Sequence, residues 1–169
     1  MDRVTREARA NAFLESNEAY ECKYCDESVS AATPLFLLEF GYVLQGAHTL
    51  QHVSLQTSQG DYVHDPYFFH EECWEKVLEQ IHSTQEDTPV IKVDAREHLG
   101  DCQCCSSPLV QRDTVGVHTL GGLYLSDREP QGLLTVDFHP EDVPQYLCMD
   151  CMRYLNNAVI EGLWWFPAS

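Results

Sequence analysis

Basic residues are scarce in this chain of 169 residues: Lys and Arg together number 10 against 27 Asp and Glu, a formal net charge of −17. Lys23, Lys76 and Lys92 are its only lysines, and the arginines are scattered. Nucleic-acid binding draws most of its affinity from neutralising phosphates with Lys and Arg, so direct binding to a duplex is not expected. Long apolar runs are missing as well. The greasiest tracts, residues 34–38 and 163–167, are core-sized, far short of the roughly 20 apolar residues of a membrane-spanning helix. The opening residues MDRVTRE carry no apolar leader, so the expectation is a cytoplasmic, reducing setting in which paired cysteines point to metal before disulfides.

What the chain does have is 8 cysteines and the stretch Phe68-Phe69-His70-Glu71-Glu72-Cys73-Trp74. His70 and Cys73, taken with Cys22 and Cys25, make four soft donors in two x-x pairs, the ligand count and spacing of a structural zinc ion. The design recurs, with Cys102 and Cys105 as one pair and Cys148 and Cys151 as the other. The expectation is two Zn2+ per chain, one in a site of three cysteines and one histidine and one in an all-cysteine site; iron also suits the latter chemically. Seven thiolates against two dications leave the chain more acidic still. Modules of roughly 75 residues have thin cores that usually need a staple, and zinc would supply it.

Taken in order, residues 3–20 read as a helix, with Val4, Ala8 and Ala12 at spacing four, Phe13 alongside, and Arg3, Arg6, Glu7, Arg9 and Glu15 as the polar face. Cys22 to Cys25 forms a tight turn. Residues 35–44 and 49–57, apolar and β-branched with Gly46 between them, read as a hairpin. Gln59, Gly60 and Asp61 turn the chain, and Tyr62 and Val63 lead towards the aromatic run. Behind His70 and Cys73, the positions Trp74, Val77, Leu78 and Ile81 have helical spacing. The polar stretch 83–88, closed by Pro89, marks a boundary, and residues 89–93 are a short strand or linker. In the second half, 114–120 and 123–125 flank Gly121 and Gly122 as a hairpin, 133–138 is a further strand, and Met152, Leu155, Ala158 and Val159 keep the helical period after Cys151. The fold class is α+β, divided as an N-terminal helix (1–20), a first zinc module (21–88) and a second zinc module with an aromatic tail (89–169).

The internal repeat binds these readings together. Cys22 and Cys25 match Cys102 and Cys105 at an offset of 80, and His70 and Cys73 match Cys148 and Cys151 at 78. The apolar positions behind them coincide too, Trp74 with Met152, Val77 with Leu155 and Ile81 with Val159. A turn carrying two ligands, a hairpin, and a helix whose first turn carries the other two resembles the treble-clef group of zinc fingers, over most of residues 21–160. LIM domains place a further ligand pair directly after the first His-x-x-Cys. Lys76 and Glu79 stand there instead.

Cys104 is a spare thiol, since register with Cys25 favours Cys105 as the ligand, and reads as a small side chain, with a redox-sensitive thiol as the alternative. A deaminase pattern over His70, Glu71, Cys102 and Cys105 fails, because Asp101 stands where proline is required and four cysteines would be orphaned. Among His48, His52, His64, His82, His98, His118 and His139, the hairpin positions His48, His52 and His118 allow a zinc-finger-type nuclease, but no paired catalytic residue accompanies them. The tail Trp164, Trp165 and Phe166 packs on the second module or docks a partner. The expected function is therefore non-enzymatic: an acidic zinc-binding protein that captures a basic protein partner, such as a nucleic-acid-binding protein, with a phage-type, DNA-mimic-like inhibitor as the extreme form. The alternatives are a nuclease or other zinc-dependent nucleic-acid enzyme, and a halophilic adaptor whose acidity serves solubility.

Overall fold

The computed structural model describes residues 2–45, 50–54, 66–85, 99–126 and 135–160. The sequence readings at Gly46, at Gln59 to Val63, at 89–93, at His48, His64 and His98, and along the tail 163–167 lie outside these residues. Among the described residues, no helix is long and apolar enough to cross a membrane.

Helix α1 spans Arg3–Glu15 and opens on Asp2, whose carboxylate accepts the Thr5 N–H at 2.8 Å and satisfies a first-turn donor. The same bond holds the Asp2 carboxyl below its ordinary range. Two features of the expected helix are corrected. It ends at Glu15, where the Ser16 hydroxyl donates back to the Phe13 carbonyl at 2.9 Å, and only a single 3-10 turn, Glu18–Tyr20, follows. The buried face is Ala10 and Leu14; Val4 is 77% exposed, and Ala8, Ala12 and Phe13 are exposed too. Asn11 selects that face, its side-chain oxygen accepting the Ala31 N–H at 2.6 Å.

In the first half follow β1 (Leu35–Gln45), β2 (Leu50–Ser54), β3 (Tyr67–His70) and α2 (Glu71–Gln85). The short pair β4 (Gly100–Asp101) and β5 (Pro108–Leu109) opens the second, which continues with β6 (Thr114–Ser126), β7 (Thr135–Pro140), β8 (Gln145–Cys148) and α3 (Met149–Tyr154). The strand order is β2-β1-β6-β7, with β3 also on β1 and β8 also on β6; the β1–β2, β6–β7 and β6–β8 ladders are antiparallel. Strand β6 is buried without a break from Val115 to Thr119, as a strand covered on both faces requires, and on alternate residues from Leu120 to Leu125.

Gly121 and Gly122 do not make a hairpin turn. They sit inside β6, paired with Pro140 and His139 of β7. Gly121 is needed for close approach: a Cβ there would run into the His139 carbonyl and the Phe138 ring. Gly121→Ala is expected to cost about 1–3 kcal/mol by overpacking, read as a lowered urea midpoint.

From the knuckles onward, three strands and the helix behind them recur in the same order in both halves. Strand β6 corresponds to β1, and β8 and α3 begin 78 residues after β3 and α2. The connections differ more than the offsets suggest. The link between the first two strands is longer in the second half (127–134 against 46–49), and the next link is longer in the first (55–66 against 141–144). With β6 two residues longer than β1 and β7 one longer than β2, the start-to-start offsets run 79, 85 and 78, so the differences nearly cancel by the third strand.

Two compact units emerge, and neither follows sequence order. Unit 1 contains Met1–Leu37, Tyr67–Trp74 and Thr119–Val143; unit 2 contains Leu38–Pro66, Glu75–His118 and Pro144–Ser169. In unit 1 the Ala32 N–H donates to the Leu123 carbonyl at 2.9 Å, and in unit 2 the Arg112 N–H donates to the Val43 carbonyl at 2.7 Å. Each is the other displaced by 80 residues, with donor and acceptor halves exchanged. Both donors, Ala32 (φ 63°) and Arg112 (φ 73°), adopt the left-handed conformation, uncommon for residues with a side chain.

Unit 1 buries Leu14, Val29, Leu35, Phe69 and Trp74, with the Phe69 and Trp74 rings 4.8 Å apart and Tyr20 linking Phe13 to Phe68 at 5.7 and 5.3 Å. Unit 2 packs Val43, Leu109, Val115, Val117 and Tyr146, with Leu99 and Cys148 against them. There Met152 of α3 lies so close to β6 that a Cβ at Gly116 would meet its sulfur. After Tyr154 the chain makes a π turn, Leu155–Val159. The wider turn shifts the helical phase by one residue, so Ile160, not Val159, is the buried counterpart of Ile81.

Candidate metal centres

Each centre is built on a knuckle. In the first, the Cys22 N–H donates to the Glu27 carbonyl at 2.8 Å and the Asp26 N–H returns to the Cys22 carbonyl at 2.8 Å. In the second, the same two bonds join Cys102 to Ser107 at 2.9 Å and Ser106 to Cys102 at 3.0 Å. Asp26 and Ser106 both take positive φ, 64° and 61°. Neither is glycine, so each knuckle stores some backbone strain that the rest of the site must hold.

The strand before each helix then docks on its knuckle. The Lys23 N–H donates to the Phe68 carbonyl at 2.9 Å, and the Gln103 N–H to the Tyr146 carbonyl at 2.8 Å. The strand end delivers one donor and the helix first turn the next, three residues on, so both face the knuckle sulfurs. One backbone N–H reaches a thiol sulfur in each site: His70 N–H to Cys22 Sγ at 3.4 Å and Cys148 N–H to Cys102 Sγ at 3.3 Å.

All eight expected ligands come together as two sets of four. Cys22, Cys25, His70 and Cys73 form one and Cys102, Cys105, Cys148 and Cys151 the other, with every pair of donor atoms in a set within 4.8 Å. The first set lies wholly in unit 1 and the second wholly in unit 2. A tetrahedral zinc ion with Zn–S of about 2.3 Å and Zn–N of about 2.05 Å has edges of about 3.8 Å between sulfurs and about 3.6 Å between nitrogen and sulfur. His70 Nδ1 stands 3.3 Å from Cys25 Sγ and 4.0 Å from Cys73 Sγ. In the second set Cys102 to Cys151 is 3.6 Å and Cys105 to Cys148 is 3.5 Å. These are metal-site edges, not disulfides, and every cysteine is free. Two metal ions per chain fit the donor sets.

The histidine tautomer is fixed by its other nitrogen. His70 Nε2 lies 3.2 Å from the Ser28 carbonyl, which can only accept, so Nε2 carries the proton and Nδ1 offers its lone pair to the cluster. Ser107 Oγ, 3.0 Å from Cys105 Sγ, plays a supporting part in the second site. Neither serine was legible as a supporting group, because one acts through its backbone and the other has Glu27 as its counterpart in the first half.

The thiols resist ionising together. Hydrogen bonds from Cys148 and Cys151 hold the Cys102 thiol well below its ordinary range, and the bond to Cys102 pushes Cys148 up to about 12 and Cys151 higher still. Burial, reinforced by Cys22, pushes Cys73 up to about 12, and burial also raises Cys25. A dication at the centre would let each set ionise together.

Comparison with known proteins yields no match: no family model, curated protein or solved structure is similar to this chain.

The groups left outside the clusters are accounted for locally. Cys104 is buried, its Sγ lies 3.8 Å from the Leu78 carbonyl, and burial pushes its thiol up to about 12; it is an inert core thiol. His82 Nδ1 donates to the Cys104 carbonyl at 2.8 Å, and the His139 ring meets Tyr124 edge-on. His52 lies on β2. His118, on β6, is 2% exposed. Desolvation lowers its imidazole to about 4, against the opposing pull of Cys102. The folded state thus prefers neutral His118, a preference complete above pH about 6.5 and lost as the pH falls towards about 4, worth about 3 kcal/mol over that window. His118→Leu is expected to remove this share of the acid sensitivity, measured as the difference between the two proteins' urea midpoints across that pH range.

Proposed function

We propose that the chain is an acidic, non-enzymatic interaction protein whose two zinc ions hold treble-clef-like fingers in shape for a basic protein partner. The observation that carries this reading is that each cluster supplies four protein donors. A structural zinc site is closed in this way, whereas a catalytic one keeps a position for water. The second support is charge. With 27 acidic residues against 10 basic, the surface field favours encounter with a cationic protein and accelerates it. A partner that itself binds nucleic acid has the complementary groove, and occupying that groove would make the chain a DNA-mimic-like inhibitor.

The test is affinity capture on the zinc-loaded chain at low and at high salt, followed by competition with heparin as a generic polyanion. Basic, nucleic-acid-binding proteins that leave with salt and with heparin are the expected result. Captured proteins that are neutral or acidic and indifferent to salt would sink the reading. Cleavage of DNA or RNA in added divalent metal would replace it with the nuclease alternative.

A further inference from the structure

The two metal sets differ in one respect that matters for their chemistry. Cys25 is the one exposed cysteine of the eight; its neighbours Cys22 and Cys73 are buried, and in the other set Cys102 and Cys151 are buried while Cys105 and Cys148 are half-covered. Oxidation of a thiolate by a peroxide requires in-line approach to sulfur, so susceptibility follows thiolate character together with exposure. The all-cysteine set has one more thiolate and is the more electron-rich, which alone would make it react first. Access opposes this, since Cys105 is half-covered and has the Ser107 hydroxyl at 3.0 Å on its sulfur.

We propose that the site of Cys22, Cys25, His70 and Cys73 is an oxidation-sensitive centre in which the Cys25 thiolate reacts with hydrogen peroxide and the resulting disulfide to Cys22 releases the metal. This rests on the zinc reading above. The Cys25 thiolate attacks one peroxide oxygen, the O–O bond breaks, and hydroxide leaves, giving a sulfenic acid on Cys25. The Cys22 thiolate then attacks that sulfur, an S–S bond forms as the S–O bond breaks, and a second hydroxide departs. Two electrons have passed from the two sulfurs to the peroxide. Cys22 is the favoured second sulfur because it shares the knuckle with Cys25 and lies within 4.8 Å of it. His70 and Cys73 alone remain as donors, half of a closed site.

The experiment titrates the zinc-loaded full chain with hydrogen peroxide, follows metal release with a chromogenic chelator, and maps disulfides by mass spectrometry at each stage. The first equivalent of zinc should leave as Cys22 and Cys25 become joined, with Cys102, Cys105, Cys148 and Cys151 still reduced. Disulfides within the all-cysteine set at that stage, or both ions leaving together, would overturn the proposal. Cys25→His keeps four donors while removing the exposed sulfur, and should abolish the early phase of release; an unchanged early phase would also overturn it. Well under two zinc per chain before any peroxide is added would instead mark failure of the zinc reading itself.

Discussion

Stripping the metal from the chain with a strong chelator is expected to unfold both compact units. In each set the two donor pairs are far apart in sequence, Cys25 from His70 and Cys105 from Cys148, and the sulfurs make no covalent link. The knuckle and the strand that docks on it are tied otherwise by a few backbone bonds such as Lys23 to Phe68 and Gln103 to Tyr146. A structural zinc ion contributes an apparent 10–16 kcal/mol or so, whereas whole domains are stable by only about 5–15 kcal/mol. The metal term therefore exceeds what the remaining core can hold, and the strained Asp26 and Ser106 turns add to the deficit. Far-ultraviolet and near-ultraviolet circular dichroism should collapse on chelation and recover with added zinc. Cys73→Ser and Cys151→Ser should each leave one zinc per chain in place of two, and a native-like chain with well under two ions would refute the account.

The metal centres were legible because their chemistry is local and repeated. Paired donors at x-x spacing on a turn and on a helix start have few other uses, and the second copy at offsets of 80 and 78 chose Cys105 over Cys104 where spacing alone could not. Strand β6 was misread at Gly121 and Gly122 because glycine pairs signal turns locally, while here Gly121 serves the approach of His139 and Phe138, which lie far away in sequence. The face of α1 was misread for a similar reason. Val4, Ala8 and Ala12 are as regular a stripe as any, but the Asn11 bond to Ala31 turns Ala10 and Leu14 inward instead. The one-residue slip from Val159 to Ile160 arises from a π turn, which no apolar periodicity announces. Least visible was the exchange of strands between halves, since a repeat in sequence does not say which copy's strand fills which copy's core.

That exchange yields the other large effect. Cutting the gene between residues 88 and 89 would give two fragments, each with a full complement of ligands for one metal ion. Judged by ligands alone, each should fold. The composition of the compact units argues otherwise. Unit 1 holds the first knuckle and β3 but takes Thr119–Val143 from the other half, and with it Leu123, buried at 1% exposure, whose carbonyl accepts from Ala32. Unit 2 holds the second knuckle but takes Leu38–Pro66 from the first half, including Val43, fully buried in its core cluster and bonded to Arg112. Losing such buried aliphatics costs about 2–5 kcal/mol each even as single truncations, and here whole strands go, leaving left-handed Ala32 and Arg112 without the bonds that hold them. Each fragment alone is expected to be unfolded or to self-associate in zinc, while the two mixed together should recover two bound ions and a native-like circular dichroism spectrum. Fragments that fold independently as monomers, with native-like spectra and one tightly held zinc each, would show that every half closes its own core.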